Sequence, residues 1–385
     1  MDSAKTPVYL DNAATTFPKP PGILQYMVDT YARIGGSPGR GSHSMAAEAE
    51  RLVAETRRKL AVFFDAPDPD RVVFTGNATD GLNLVIQGMA KPGDRFIATE
   101  LDHNSVLRPL HGLAAQGMIT LDLARFDGRG FVDPDEVERL IRPNTRAVVM
   151  THASNVMGTI QPIAELGRRC SERQIPLLID AAQTAGRIPV QMTACRASAI
   201  AFTGHKSMFG PPGIGGLVVH PDLEIRTTRF GGTGVDSRSL VHTQDYPYRL
   251  EAGTGNLIGI IGLSLGLDYV LQHGLQGIHD KEMALLERLR DGLGELRNVD
   301  MYAAEDLTDH IAILIANIRS MSPQDAAEAL DRDFGIAVRA GLQCAPLVHN
   351  RLGTLDCGAI RFSPGFFNTE EEIDRAVDAM SVISH

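Results

Sequence analysis

Lys206, in the segment Thr203-Gly204-His205-Lys206, follows the apolar run Ala199-Ile200-Ala201-Phe202, and Asp180 closes an earlier run, Leu177-Leu178-Ile179. Each run has the length and composition of a buried strand, so both residues fall at strand carboxyl ends, the edge where open α/β sheets bind ligands. An amine and a carboxylate brought together there suit pyridoxal phosphate. The amine condenses with the aldehyde, and the carboxylate keeps the ring nitrogen protonated so that the ring withdraws electrons. The pair by itself is equally compatible with a solvated lysine and an aspartate closing a turn.

Further groups fall on the same edge. Phe74-Thr75-Gly76-Asn77-Ala78-Thr79-Asp80-Gly81 joins a strand to a helix and offers backbone N–H groups and the Thr79 hydroxyl at a helix N-terminus, where phosphate binds. A glycine turn capped by Thr79 is the alternative for that segment alone. The segment is neither a Walker loop nor a GxGxxG fingerprint. His103, in Glu100-Leu101-Asp102-His103-Asn104, follows the next strand, and its imidazole could stack on a flat cofactor and shuttle protons. Asn155, in Ser154-Asn155-Val156-Met157-Gly158, follows another and could donate to a ring oxygen. Each of these residues alone reads as a cap or a turn; strands ending near 75, 99, 152, 180 and 202 that all deliver polar groups to one edge read as a site.

The elements that position these groups alternate between about residues 45 and 220. Helix 44–64, strand 72–74, helix 80–89, strand 96–98, a helix from Asn104, strand 147–150 and helix 163–174 precede the strands ending at Asp180 and Phe202. Such alternation builds βαβ units and a mostly parallel sheet. Beyond Gly255 the rhythm changes. Helices at about 259–272 and 280–297 lead to strand 311–318, then to a helix opening with Ser322 and Pro323, and a last helix opens with the capping box Thr369-Glu370-Glu371-Glu372. This tail reads as a smaller α+β domain.

Composition bounds the alternatives. A chain of 385 residues exceeds one ordinary core, and 43% hydrophobic with 22% charged residues is an ordinary globular balance. A net charge of −10 argues against nucleic acid or an anionic membrane as partner. The longest apolar run, Ile311 to Ala316, is far shorter than the ~20 residues of a membrane helix, and the first residues lack the apolar stretch of a secretory signal. Cys170, Cys195, Cys344 and Cys357 show no CxxC spacing and fit a reducing cytoplasm; the histidines show no HExxH pair, so no metal site is expected.

With these motifs in place the chain resembles the class V aminotransferase-like family of fold-type I pyridoxal phosphate enzymes, and within it the cysteine desulfurases and selenocysteine lyases. The resemblance runs from Tyr9-Leu10-Asp11-Asn12-Ala13-Ala14-Thr15-Thr16 through Arg40-Gly41-Ser42-His43 and Glu251-Ala252-Gly253-Thr254-Gly255-Asn256 to Arg361-Phe362-Ser363. It implies a large domain over 16–258 with a mostly parallel mixed sheet, and a small domain from 1–15 and 259–385. It implies that Lys206 carries pyridoxal 5'-phosphate as a Schiff base, that Asp180 pairs with the ring nitrogen, that His103 stacks on the ring, and that Asn155 and Gln183 bond the ring hydroxyl oxygen. Ala78 through its backbone N–H, Thr79, Thr203 and His205 would hold the phosphate. Thr254 matches a residue that reaches the partner subunit's phosphate, which implies a homodimer, and Arg361 matches the arginine that grips the substrate carboxylate, with Asn155 beside it.

The reaction is chosen elsewhere, in Arg339-Ala340-Gly341-Leu342-Gln343-Cys344-Ala345-Pro346. This resembles the desulfurase loop Arg-x-Gly-x-His-Cys, with Gln343 standing where the family has histidine. Cys344 lies between Arg339 and His349, and positive neighbours favour a thiolate. The expected activity is conversion of L-cysteine to L-alanine, with the sulfur held as a persulfide on Cys344, His103 shuttling protons, and an acceptor thiol or protein taking the sulfur. Selenocysteine lyase acting on L-selenocysteine, β-lyase and aminotransferase are the alternatives.

Overall fold

Valine-, isoleucine- and alanine-rich runs between amphipathic helices give this chain a seven-stranded sheet, seen in a computed structural model that describes residues 7–39, 41–235, 237–302 and 305–385. Arg40 of the expected arginine–glycine segment and residues 1–6 lie outside the described residues. A short strand β1 (Val8–Tyr9) is followed by helices α1 (Ile23–Ile34) and α2 (Ser44–Phe63). The main sheet takes β2 (Val72–Thr75), β3 (Asp94–Thr99), β4 (Ile119–Ala124), β5 (Thr145–Thr151), β6 (Leu177–Asp180), β7 (Ala199–Thr203) and β8 (Gly215–Val219). Their spatial order is β2-β8-β7-β6-β5-β3-β4. The first four βα crossovers carry α3 (Ala78–Met89), α4 (Asn104–Ala115), α5 (Pro134–Leu140) and α6 (Ile163–Glu172). Strand β8 pairs antiparallel with both β2 and β7, while the pairings among β3 to β7 are parallel, so the sheet is mixed but mostly parallel.

Both faces of the sheet are apolar, as a helix-covered sheet requires. Along β5, Ala147 and Val149 enter the core beneath α3 and α4, whereas Val148 and Met150 enter the opposite core with α2 and α6 residues. The alternation follows from the period-two pleat. Strand β8 lay outside the sequence expectation because Gly215 and Gly216 weaken its strand signal. The glycines are required: a Cβ on Gly215 would stand 2.6 Å from the Phe202 carbonyl oxygen and 2.8 Å from Asn77 Cα.

The C-terminal part adds α7 (Leu257–His273), α8 (Leu275–Gly294), β9 (Val299–Tyr302), β10 (Leu314–Ile318), α9 (Pro323–Phe334), β11 (Ile336–Ala337), β12 (Arg339–Gly341), α10 (Pro346–Leu352), β13 (Ala359–Phe362) and α11 (Glu370–Ile383). Strands β12-β13-β10-β9 form an antiparallel sheet, and β1 pairs in parallel with β11. Ser322 caps α9 and the Thr369–Glu372 capping box opens α11 as expected. A separate core joins Val8 and Leu10 to α8, α9 and α11, so the N-terminal strand packs with the C-terminal unit. Helix α7 starts at the expected boundary near 258 and packs Ile260, Ile261, Leu263 and Leu267 into the core of the main sheet. Among the described residues no single helix is long and apolar enough to cross a membrane.

Candidate active site

The parallel strands put their carboxyl ends on one edge, and the loops leaving that edge enclose a cavity of about 280 Å³. Ala78, Thr79, His103, Asn155, Asp180, Gln183, Thr203, His205 and Lys206, each singled out from sequence, line it. At the start of α3 the cap is Asn77, not Thr79. The Asn77 side chain accepts from Asp80 N–H at 3.0 Å and its carbonyl takes Gly81 N–H at 3.2 Å. The amides of Ala78 and Thr79, at the first two helical positions, are left without intrahelical acceptors and point an anion site at the cavity. Thr203 supplies a further donor: its hydroxyl is buried and has no partner among the described residues.

Desolvation of the half-buried Lys206 lowers its pKa to about 8, partly offset by Asp180 and reinforced by Arg361, Arg187 and Arg339. Asp180 is buried, and desolvation raises its pKa although it accepts from Ala182 N–H at 2.9 Å and feels Lys206. The carbonyl before the lysine, that of His205, accepts from Lys19 Nζ at 2.6 Å, Thr15 Oγ1 at 3.0 Å and Thr16 N–H at 3.2 Å. On the other side Gly186, at φ 92°, lets the Ser207 carbonyl approach where a Cβ would stand only 2.2 Å away. The lysine is thereby clamped from both flanks.

Beneath His103 sits Asp102, which sequence reasoning passed over. One carboxylate oxygen accepts from Thr99 N–H (2.7 Å) and Thr99 Oγ1 (2.9 Å), the other from Thr151 N–H (2.7 Å), lacing the ends of β3 and β5 together. Burial pushes its pKa up to about 7. His103 itself is held down to about 4 by burial and by the nearby charges of Lys206, Arg339, Arg361 and Arg108.

Arg361 and Cys344 come from the C-terminal unit and meet the rim of the cavity rather than its lining. Arg361 is buried, donating from Nη1 to the Asn155 carbonyl at 3.1 Å and from Nη2 to Asp11 Oδ1 at 2.7 Å, with Nε unpartnered among the described residues. Gln343 and Cys344 have consecutive positive φ angles of 44° and 60°. For non-glycine residues such backbone costs on the order of 1–3 kcal/mol each and persists only where surroundings enforce it. Here the Asn155 side chain donates to the Gln343 carbonyl at 2.7 Å and Asn104 N–H donates to the Cys344 carbonyl at 2.8 Å. The thiol is exposed, and Arg339 Nη2 lies 4.0 Å from its sulfur.

The expected second positive neighbour, His349, is not one. It is fully buried, with Nδ1 2.8 Å from Thr354 Oγ1 and Nε2 2.9 Å from Gln343 Oε1, and burial lowers its pKa to about 4, so it is neutral. Gln343 completes the chain by donating to the Ala359 carbonyl at 2.9 Å. Thr254 lies in a different cavity, of about 540 Å³, beside Thr75, Gly76 and the paired Arg57 and Glu251.

Comparison with known proteins gives one picture. The family described as aminotransferase class-V matches residues 8–376. A probable cysteine desulfurase of Methanothermobacter thermautotrophicus is 33% identical, over 98% of this chain and 94% of that protein. The solved apo structure of the cysteine desulfurase from Thermococcus onnurineus superposes with a TM-score of 0.93 at 32% identity, covering 98% of this chain and 94% of the other. The S-sulfonic acid form of the Escherichia coli cysteine desulfurase CsdA gives 0.88 at 27% identity, with the same coverages.

Proposed function

This chain belongs to the aminotransferase class-V family, and we infer that within it the protein is a pyridoxal-phosphate-dependent cysteine desulfurase that converts L-cysteine to L-alanine and holds the sulfur on Cys344. The observation that carries the reading is the seating of Cys344: a strained, exposed thiol held through its own carbonyl by Asn104, which follows His103, and through the preceding carbonyl by Asn155, with His103 and Asn155 lining the cavity of Lys206 and Asp180.

The donor set fits the cofactor. A buried hydroxyl on Thr203 with no partner among the described residues, two amides at the start of α3 that have no intrahelical acceptor, and the Thr79 and His205 side chains suit a phosphate. Asp180 suits a protonated ring nitrogen, and Lys206, depressed to about 8, suits an aldehyde. Asn155 and Gln183 line the same cavity, within which they suit the ring hydroxyl, and His103 suits the ring face. When bound, pyridoxal phosphate supplies an electron sink for negative charge developing at the substrate α-carbon.

The chain's own residues do the rest. Arg361, fixed by Asp11 and the Asn155 carbonyl, orients the substrate through its carboxylate. Lys206, neutral in an appreciable fraction near pH 8, takes the α-proton. The Cys344 thiolate, beside the Arg339 guanidinium, attacks the substrate sulfur; the new S–S bond replaces the Cβ–S bond, leaving a persulfide on Cys344 and, after protonation, L-alanine. His103 exchanges protons with the thiols at the cavity, and an acceptor thiol or protein clears the persulfide. A reducing, cytoplasmic setting keeps the thiol competent. A homodimer is part of the reading: Thr254 faces a cavity separate from that of Lys206, where a residue serving a partner's site belongs.

The test is incubation with L-cysteine, with alanine assayed and persulfide trapped on the wild type and Cys344→Ala, and L-selenocysteine run in parallel. Alanine and a trapped persulfide from the wild type, both lost in the variant, are expected. Undiminished alanine formation by Cys344→Ala would overturn the persulfide step. Sedimentation should report a dimer.

A further inference from the structure

Ser105, the second residue of α4, was not singled out by its sequence, yet its hydroxyl oxygen sits between two functional side chains. It is 2.7 Å from Thr79 Oγ1 and 2.7 Å from His103 Nδ1, and the Ser105 backbone N–H donates to the same Nδ1 at 3.0 Å. A backbone amide can only donate, so Nδ1 must carry a lone pair. With Nδ1 unprotonated, the Ser105 hydroxyl is also obliged to donate to it, and in the cofactor-free protein the Thr79 hydroxyl in turn donates to Ser105. The polarity of the whole chain is fixed by one amide. His103 is the N-cap of α4, with φ −67° and ψ 156°, which aims Nδ1 back at the first turn and leaves the ring lining the cavity.

We propose that Ser105 is a positioning residue: its hydroxyl and amide lock His103 as the neutral imidazole with its proton on Nε2, and couple that ring to the phosphate-side hydroxyl of Thr79. This inference rests on the reading of His103 and Thr79 as cofactor-site residues. It goes beyond that reading by fixing which ring nitrogen carries the proton and why. The consequence is chemical: His103 meets the cavity with an N–H donor rather than a lone pair, so it hydrogen-bonds a substrate sulfur anion without first being protonated, and it passes that proton on only as Nδ1 gains one from the Ser105 hydroxyl. The charged groups that face the ring are Lys206 after β7, Arg339 on β12, Arg361 on β13 and Arg108 on α4, all cationic and all opposed to a second ring proton. Burial and these charges keep the ring neutral; Ser105 chooses the tautomer.

The test is made on cofactor-free protein with 15N-labelled histidine, using His103→Gln to assign the ring signals. The wild-type ring should show the Nε2–H tautomer at neutral pH, with Nδ1 as a hydrogen-bonded acceptor. In Ser105→Ala one donor to the neutral ring is lost, so the protonation midpoint should rise by roughly half a unit to one unit. Ser105→Thr, which keeps the hydroxyl, should restore the wild-type value, an outcome that a packing role alone does not produce. A wild-type proton on Nδ1 overturns the proposal without need of any variant, and so does a Ser105→Ala midpoint identical to wild type. Adding pyridoxal phosphate to the wild type while following absorbance separates the two readings: no binding would sink the cofactor assignment and leave the tautomer result standing.

Discussion

Thr203, the last residue of β7, and Lys206, three residues on, both line the cavity, and each makes a prediction at the scale of a single side chain. The Thr203 hydroxyl is buried without a partner among the described residues. An unsatisfied buried hydroxyl costs about 1–3 kcal/mol, whereas a hydrogen bond to a charged group contributes about 1.5–3 kcal/mol. Thr203→Val should therefore leave cofactor-free protein as stable as the wild type or more so, by thermal unfolding, while weakening pyridoxal phosphate binding about tenfold or more in an absorbance titration. Equal affinity would show that the hydroxyl faces no phosphate. Lys206 gives a second residue-scale prediction. Only the neutral amine attacks an aldehyde, and burial lowers its pKa from 10.5 to about 8. The rate at which cofactor-free protein captures pyridoxal phosphate should thus rise with pH through about 8 and then level off. A rate still climbing beyond pH 10 would mean the amine is not desolvated.

At the scale of elements, the segment between β12 and β13 shows how a loop is made to hold an exposed thiol. Its backbone is left-handed at two successive non-glycine residues, and the strain is offset by a buried relay from Thr354 through His349 and Gln343 to the Ala359 carbonyl. Because Gln343 Nε2 donates to that carbonyl, its Oε1 must accept from His349 Nε2–H, so the relay has one sense. Glutamine replaces the family's histidine here with a group that both donates and accepts and does not titrate. Gln343→Leu leaves the His349 N–H and the Ala359 carbonyl buried and unpaired, a loss of about 1–3 kcal/mol. The expected result is normal cofactor absorbance with persulfide formation on Cys344 slowed by roughly tenfold or more. Gln343→His, which offers one donor and one acceptor, should recover most of the rate. If Gln343→Leu formed persulfide at the wild-type rate, the relay would have no part in presenting the thiol.

For the whole molecule, burial of neutral imidazoles dictates the response to acid. His103, His152, His205 and His349 are all held down to about 4, burial being the largest cause in each. Between pH 6.5 and 4 the unfolded chain takes up protons at these positions and the folded chain does not, so stability present above pH 6.5 is lost as pH falls. Asp102, raised to about 7, and the buried Asp180 and Glu282 act in the opposite sense, because the folded form keeps protons that the unfolded form releases. The net slope is smaller than four protons but keeps the histidine sign. Thermal unfolding of cofactor-free protein should show a midpoint that falls from pH 6.5 to 4.5, and His152→Gln should flatten the fall by about one proton. A midpoint that stayed level or rose on acidification would contradict this balance.

Much of the cavity lining was legible in the chain itself. Short apolar runs, each followed by a polar loop, identify strand ends, and parallel strands carry their ends to one edge whatever the details of packing. That is why Asp180, Lys206, His103, Asn155 and the Asn77–Thr79 turn were found from local pattern, and why nine of the expected residues share one cavity. Local pattern could not reveal β8, whose glycines hide a strand while permitting close approach to Asn77. It could not reveal that Asn77 rather than Thr79 caps α3, or that His349 turns inward to Gln343 instead of toward the thiol. Above all it could not carry Cys344 to the site. That depends on Ala345 and Val348 packing into the core of the main sheet and on bonds to Asn104 and Asn155, residues far away in sequence. Periodicity and turn chemistry act over a few residues and are written in order along the chain. The tautomer of His103, the grip of Asp11 on Arg361 and the position of the thiol arise from burial and hydrogen bonding between distant segments, and only the folded structure decides them.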